Sequence, residues 1–174
     1  ELRATGKTVL AYMSIGEAED YRFYWRGEWT SPNNALDWLG RENPNWAGNY
    51  KVRYWDADWQ RIIFGLPSSY LDKIMAAGFD GVYLDIIDGY AYFEKRGRET
   101  AEAEMVAFVR LISTYAKERN PDFLIVPQNA PELGASVATY LEAVDGVGQE
   151  GLHYGCDEPN EPTVPTDTAT LQGY

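Results

Sequence analysis

The chain has 174 residues, 45% of them hydrophobic, which suffices for one buried core and excludes a mostly disordered protein. Its formal charge of -12 excludes a nucleic-acid binder, which needs cations facing the phosphates, and suits a cationic partner instead. The lone cysteine, Cys156, and lone histidine, His153, exclude an intrachain disulfide and a zinc site of the usual Cys or His type.

Thr8 to Ile15 is an apolar, β-rich run closed by Gly16 and reads as a buried strand. Residues 17 to 55 lack sustained periodicity, so they are expected to form a long functional loop, with one or two helical turns over Asn33 to Leu39. Asp56 to Ala77 is helical in pattern and is split at Gly65-Leu66-Pro67. Glu99 to Arg119 carries Met105, Phe108, Val109, Ile112 and Tyr115 at helical spacing, the clearest helix of the chain. Phe123 to Val126 reads as a strand, and Pro131 opens a short helix that runs to about Ala143.

Two segments complete the set: Phe79-Asp80-Gly81-Val82-Tyr83-Leu84-Asp85 and Val144-Asp145-Gly146-Val147-Gly148-Gln149-Glu150. Each starts an expected strand at an Asp-Gly turn and closes it on a carboxylate five residues later. The order β, α, β, α, β, α, β implies four parallel strands with right-handed crossovers, an α/β fold. Parallel neighbours deliver Asp85 and Glu150 to the same rim, where such folds place their chemistry. Alternation puts Tyr83 and Gly81 with Asp85, Gly148 and Gly146 with Glu150, and Tyr12, Ser14 and Gly16 together on the first strand. The interior beneath the two acids is therefore expected to be small and polar. Two carboxylates in one cleft suggest glycoside hydrolysis.

Residues 1–155 are expected to form the domain, and the Pro-, Thr- and Asp-rich tail 156–174 a lid, a linker or a disordered segment. No transmembrane run is present, and the start at Glu1, without initiator Met or signal peptide, reads as a fragment boundary.

The stretches AYMSIGEAEDYRFYW (11–25), ENPNWAGNYKVRYWDADWQ (42–60), GFDGVYLDIIDGYAYF (78–93), IVPQNA (125–130) and VDGVGQEGLHYG (144–155) together resemble glycoside hydrolase family 114, the endo-α-1,4-polygalactosaminidases. The resemblance implies a (β/α)8 TIM barrel of which this chain covers about four central βα units, strands 3 to 6. Its first two and last two units have no counterpart here, and a whole barrel needs roughly 250 residues. Asp85 and Glu150 fall on the family's catalytic pair, with Asp85 as nucleophile and Glu150 as general acid/base. The resemblance further implies secretion, no cofactor, and a polysaccharide substrate, a cationic amino sugar polymer that an acidic cleft attracts.

Position nominates the supporting residues. Glu17, Asp20 and Arg22 follow the first strand and suit sugar hydroxyls or amines; a solvated charged loop, with Arg22 paired to Glu17 or Asp20, is the alternative. Tyr12 and Ser14 share the inner parity, and Asp88 and Asn129 lie near the rim. Trp55, Asp56, Tyr83, Tyr90 and Tyr154 are candidates for lining or stacking on pyranose rings, against plain packing. Two rival functions stand beside the glycosidase: a carbohydrate-binding protein or inactive fragment without turnover, and a metal-dependent hydrolase built on Glu17, Glu19, Asp20, Asp85 and Asp88.

Overall fold

The computed structural model describes residues 5–31, 33–34 and 36–152; Tyr154 and the expected tail lie outside them. A parallel sheet forms the centre, with strands β1 (Leu10–Ser14), β5 (Gly81–Asp85) and β6 (Leu124–Pro127) in the order β1-β5-β6. Register pairs Ser14 with Asp85 and Leu84 with Pro127.

The sheet has two unlike faces because successive side chains alternate. Ala11, Met13, Val82, Leu84 and Ile125 are buried in the hydrophobic core. Tyr12, Tyr83, Asp85 and Val126 form the more open face. The core is closed by α1 (Ala57–Ile63), α2 (Tyr70–Ala76) and α4 (Ala101–Arg119), through Trp59, Leu71, Met105, Phe108, Val109 and Ile112. The spacing of these apolar residues on α4 is the 3.6-residue period seen in the sequence. Asp56 caps α1 by accepting the Asp58 N–H at 2.8 Å, and the break expected near Pro67 separates α1 from α2.

Residues 17 to 55 depart from expectation. They hold a second, antiparallel sheet of β2 (Glu17–Glu19), β3 (Leu39–Asn43) and β4 (Trp46–Val52), in the order β2-β4-β3. The described residues of 33–39 form turns leading into β3, not helical turns. Polar residues pair across these strands, Glu17 opposite Lys51 and Glu19 opposite Asn49, so no apolar alternation marks them. Asn43 accepts the Asn45 N–H at 3.1 Å and so shapes the tight β3–β4 turn.

The helix expected from Pro131 to Ala143 is two short ones, α5 (Glu132–Ser136) and α6 (Ala138–Leu141), while α3 (Tyr90–Glu94) follows β5. The fourth parallel strand is also corrected: residues 144–150 make only one bridge, Gln128 with Gly148. Asp145 N–H donates to Ile125 O and Gly148 N–H to Pro127 O, so this segment carries one more residue between rungs than its neighbour. That bulge breaks the ladder and reorients the chain from Gly148 onward.

The two Asp-Gly echoes share one structural job. Asp80 Oδ2 accepts the Val9 N–H at 2.9 Å, while its own N–H donates to Val9 O. Asp145 repeats this at Ile125, whose N–H it accepts at 2.8 Å. Each aspartate thereby closes the start of the adjacent strand, satisfying a backbone donor that the ladder leaves free.

Candidate active site

Asp85 ends the central strand and is held from two sides. Its Oδ2 accepts the Tyr12 hydroxyl at 2.6 Å, and its Oδ1 accepts the Ile86 N–H at 2.8 Å. Tyr12 reaches it because β1 and β5 are parallel neighbours and Tyr12 lies two residues before the partner of Asp85. Burial, then the bond to Asp85 and its charge, push the Tyr12 phenol far above its ordinary range, so it remains a proton donor. Ile86 takes a left-handed φ of 59°, which is rare for a β-branched residue and costs about 1–3 kcal/mol. A Cβ on Gly16 would lie 2.2 Å from Ile86 O, so only glycine lets the end of β1 pass this strained turn.

Glu150 is carried by a loop and held by Asn129. Asn129 Nδ2 donates to Glu150 Oε2 at 3.1 Å, and Asn129 Oδ1 accepts the Glu150 N–H at 3.0 Å. Asn129 itself is left-handed, φ 60°, a conformation asparagine tolerates. Gln149 ties the loop further, donating to Asn129 Oδ1 at 3.2 Å and to Glu150 O at 2.7 Å.

Tyr83 lies two residues before Asp85 on β5, on the same face of the sheet. Its phenol is pushed upward by burial first, then by the charges of Glu150 and Asp85. A Cβ on Gly148 would lie 2.3 Å from the Tyr83 hydroxyl, so the small residue expected beneath Glu150 is the space that this ring uses.

Asp85 and Glu150 line one cleft of about 540 Å³. Tyr12, Glu17, Asp88 and Asn129 line it as well, so six of the nominated residues converge. Asp88 keeps solvent contact, yet partial desolvation by the cleft walls and then the charge of Asp85 raise its carboxyl above its usual range, with Lys51 partly opposing. Glu17 is fully buried on β2 rather than solvated in a loop; it pairs with Lys51 and accepts from Asn43 at 2.9 Å and Asn49 at 3.2 Å. Ser14 is buried below and donates to Glu17 O at 3.0 Å.

Other nominated residues stand elsewhere. Asp20 is exposed and its carboxylate lies against Gly48, outside the cleft lining. Arg22 pairs with neither Glu17 nor Asp20 but with Glu19, because β2 buries Glu19 and a buried carboxylate takes the nearest cation. Its guanidinium also lies 5.1 Å from the Tyr12 ring centre, behind the tyrosine that holds Asp85. Trp55 packs against Phe93 and under Arg98, Asp56 is the α1 cap, and Tyr90 is buried with its hydroxyl on Glu132. Tyr154 lies outside the described residues.

Trp46, Asn49, Tyr21 and Gln128 also line the cleft and were not singled out in the sequence. Asn43-Pro44-Asn45, a turn signal ahead of Trp46, was the available clue. Among the described residues no three His, Cys, Asp or Glu side chains group as a metal site would require, and Lys51 and Arg22 occupy Glu17 and Glu19. No helix among them is long and apolar enough to cross a membrane.

Residues 1–168 match the family model described as glycoside-hydrolase family GH114. The chain belongs to this family. Proteins of Thermotoga maritima, Methanocaldococcus jannaschii and Deinococcus radiodurans, all uncharacterised, are each 43% identical, over 86%, 94% and 91% of this chain. The chain spans about half of these relatives, 46%, 47% and 49% of their lengths. Among solved structures, Aspergillus fumigatus Ega3 in complex with galactosamine is similar at TM-score 0.64 and 24% identity, over 85% of this chain and 52% of that one. The glycoside hydrolase domain of PelA from Pseudomonas aeruginosa is similar at TM-score 0.71 and 16% identity, over 99% and 63%. These likenesses show the fold alone, an α/β fold with a parallel sheet.

Proposed function

We propose that the protein containing this chain hydrolyses an α-1,4-linked polymer of galactosamine or N-acetylgalactosamine, within a complete (β/α)8 barrel, by a two-carboxylate mechanism. The observation that carries this reading is the joint lining of one cleft by Asp85 and Glu150. Asp85, with the Tyr12 hydroxyl and Ile86 N–H to steady a negative charge, acts as the nucleophile toward an oxocarbenium-like centre. Glu150, on an open loop that gives its carboxyl access to a leaving oxygen, protonates that oxygen and then activates water.

Charge supports the amino sugar. Three carboxylates, Asp85, Asp88 and Glu150, line the cleft beside a Glu17 that Lys51 neutralises, and no described lysine or arginine lines it, a field that concentrates ammonium groups. Ega3, solved with galactosamine, is a precedent for the sugar. An extracellular place of action belongs to the same proposal, following the family.

The test is reducing-end release from a partly deacetylated α-1,4-galactosamine polymer by the full-length protein. Asp85→Asn and Glu150→Gln each cut release by roughly 10²-fold or more on this account. Release undiminished by either substitution removes that residue from the mechanism, and polymer binding without release by the unaltered protein identifies a binding module instead.

A further inference from the structure

The catalytic cleft continues into a second hollow of about 370 Å³. The two share Glu17, Trp46, Ile86 and Asp88, so they form one groove. Their charges differ: beside Glu17 and Asp88 the second hollow has Lys51, Lys95 and Arg96, whereas no described lysine or arginine lines the first. A chain of net charge -12 does not produce such a patch through general basicity.

The cations gather on one ring. Arg96 lies 3.6 Å from the centre of Tyr92, Lys51 at 5.3 Å and Arg41 at 5.5 Å. Lys51 is engaged by Glu17. Arg96 uses one guanidinium nitrogen on Tyr92 O at 2.9 Å, and neither it nor Lys95 forms an ion pair with a described residue. Stacking fixes the guanidinium plane and leaves its other N–H groups to meet a flat or tetrahedral anion. Trp46, 68% exposed at the junction of the two hollows, offers a face on which a sugar ring can lie between them.

We infer that the basic hollow is a subsite for a sugar unit bearing an anionic group, a carboxylate or a sulfate, beside the amino sugar that is cleaved. This rests on the glycosidase reading, because the hollow opens into that cleft. The substrate is then a polymer of mixed charge, read by an acidic end and a basic end of one groove.

The experiment is calorimetric titration of the full-length Asp85→Asn protein, which binds without turnover. The ligands are an N-acetylgalactosamine tetramer, the same tetramer with one terminal galacturonate, and the tetramer with one sulfate. At least one anionic tetramer should bind about tenfold more tightly than the neutral one. The Lys95→Ala/Arg96→Gln variant should remove that advantage while changing the neutral tetramer's Kd by about twofold or less. The better of the two anionic ligands identifies the group. Equal binding of all three, or equal weakening of neutral and anionic ligands in the variant, overturns the inference. Polymer hydrolysis is scored separately on the unaltered protein, so an inactive protein that still prefers the anionic tetramer counts against the glycosidase reading alone.

Discussion

In the first Asp-Gly segment, Asp80 clamps Val9 and the chain runs on through five paired residues to Asp85. In the second, Asp145 clamps Ile125 in the same way, but an extra residue before Gly148 breaks the ladder and Glu150 emerges on a loop. The difference suits the two roles proposed. A nucleophile must meet one carbon from a fixed direction, and Asp85 sits at the end of the central strand with both oxygens bonded. A residue that serves as acid and then as base must face two oxygens in turn, and Glu150 has an exposed carboxylate tethered chiefly through Asn129.

The largest effect expected at either segment is that of Asp85→Asn, a fall in kcat of roughly 10³-fold or more on the polymer, read by reducing-end assay. Glu150→Gln should lose roughly 10²–10⁴-fold on the polymer yet retain much more activity on an aryl glycoside, whose leaving group needs little protonation. A similar loss on both substrates would deny Glu150 the acid role.

Stability sharpens the same comparison. Gly148→Ala drives a Cβ into the Tyr83 hydroxyl and should cost about 1–3 kcal/mol, whereas Gly146→Ala meets nothing within 4 Å and should stay within about 0.5 kcal/mol. Denaturant unfolding of both checks this. Asp80→Ala and Asp145→Ala each orphan a strand-opening N–H at about 1–3 kcal/mol, so thermal unfolding should show two losses of similar size.

The smallest effect is at Asp88. Its carboxyl is raised above the ordinary 3.8, so the fold holds that proton more tightly than the unfolded chain does. The stability this supplies is present below about pH 3.8 and lost as pH rises through the folded value. Asp88→Asn should therefore equal or slightly exceed the unaltered protein in thermal stability at pH 7, and any advantage should disappear in acid. A melting-temperature series against pH reads the sign.

Much of this arrangement was legible in the sequence. Helix α4 and strands β1, β5 and β6 follow from apolar periodicity, and Asp85, Tyr12 and Asn129 from strand ends and parity, whereas Glu150 reaches the cleft from a loop and not from the strand end expected of it. The antiparallel sheet of β2, β3 and β4 was not legible, because its stabilising pairs are Glu17 with Lys51 and Asn49, which period-2 hydrophobicity does not detect. Nor was the bulge at Gly148, since an extra residue in a glycine-bearing segment looks the same in sequence as a regular strand. The carboxylate that Arg22 takes was equally hidden, because the burial of Glu19 is a consequence of that unseen sheet.

The central claim is that Asp85 and Glu150 work as one pair, and the double variant Asp85→Asn/Glu150→Gln tests it most directly. Groups acting on one transition state lose little more together than the worse single change does alone. Measured on the polymer with the full-length protein, kcat of the double variant should match that of Asp85→Asn. A loss equal to the product of the two single losses would show independent action and contradict the shared site.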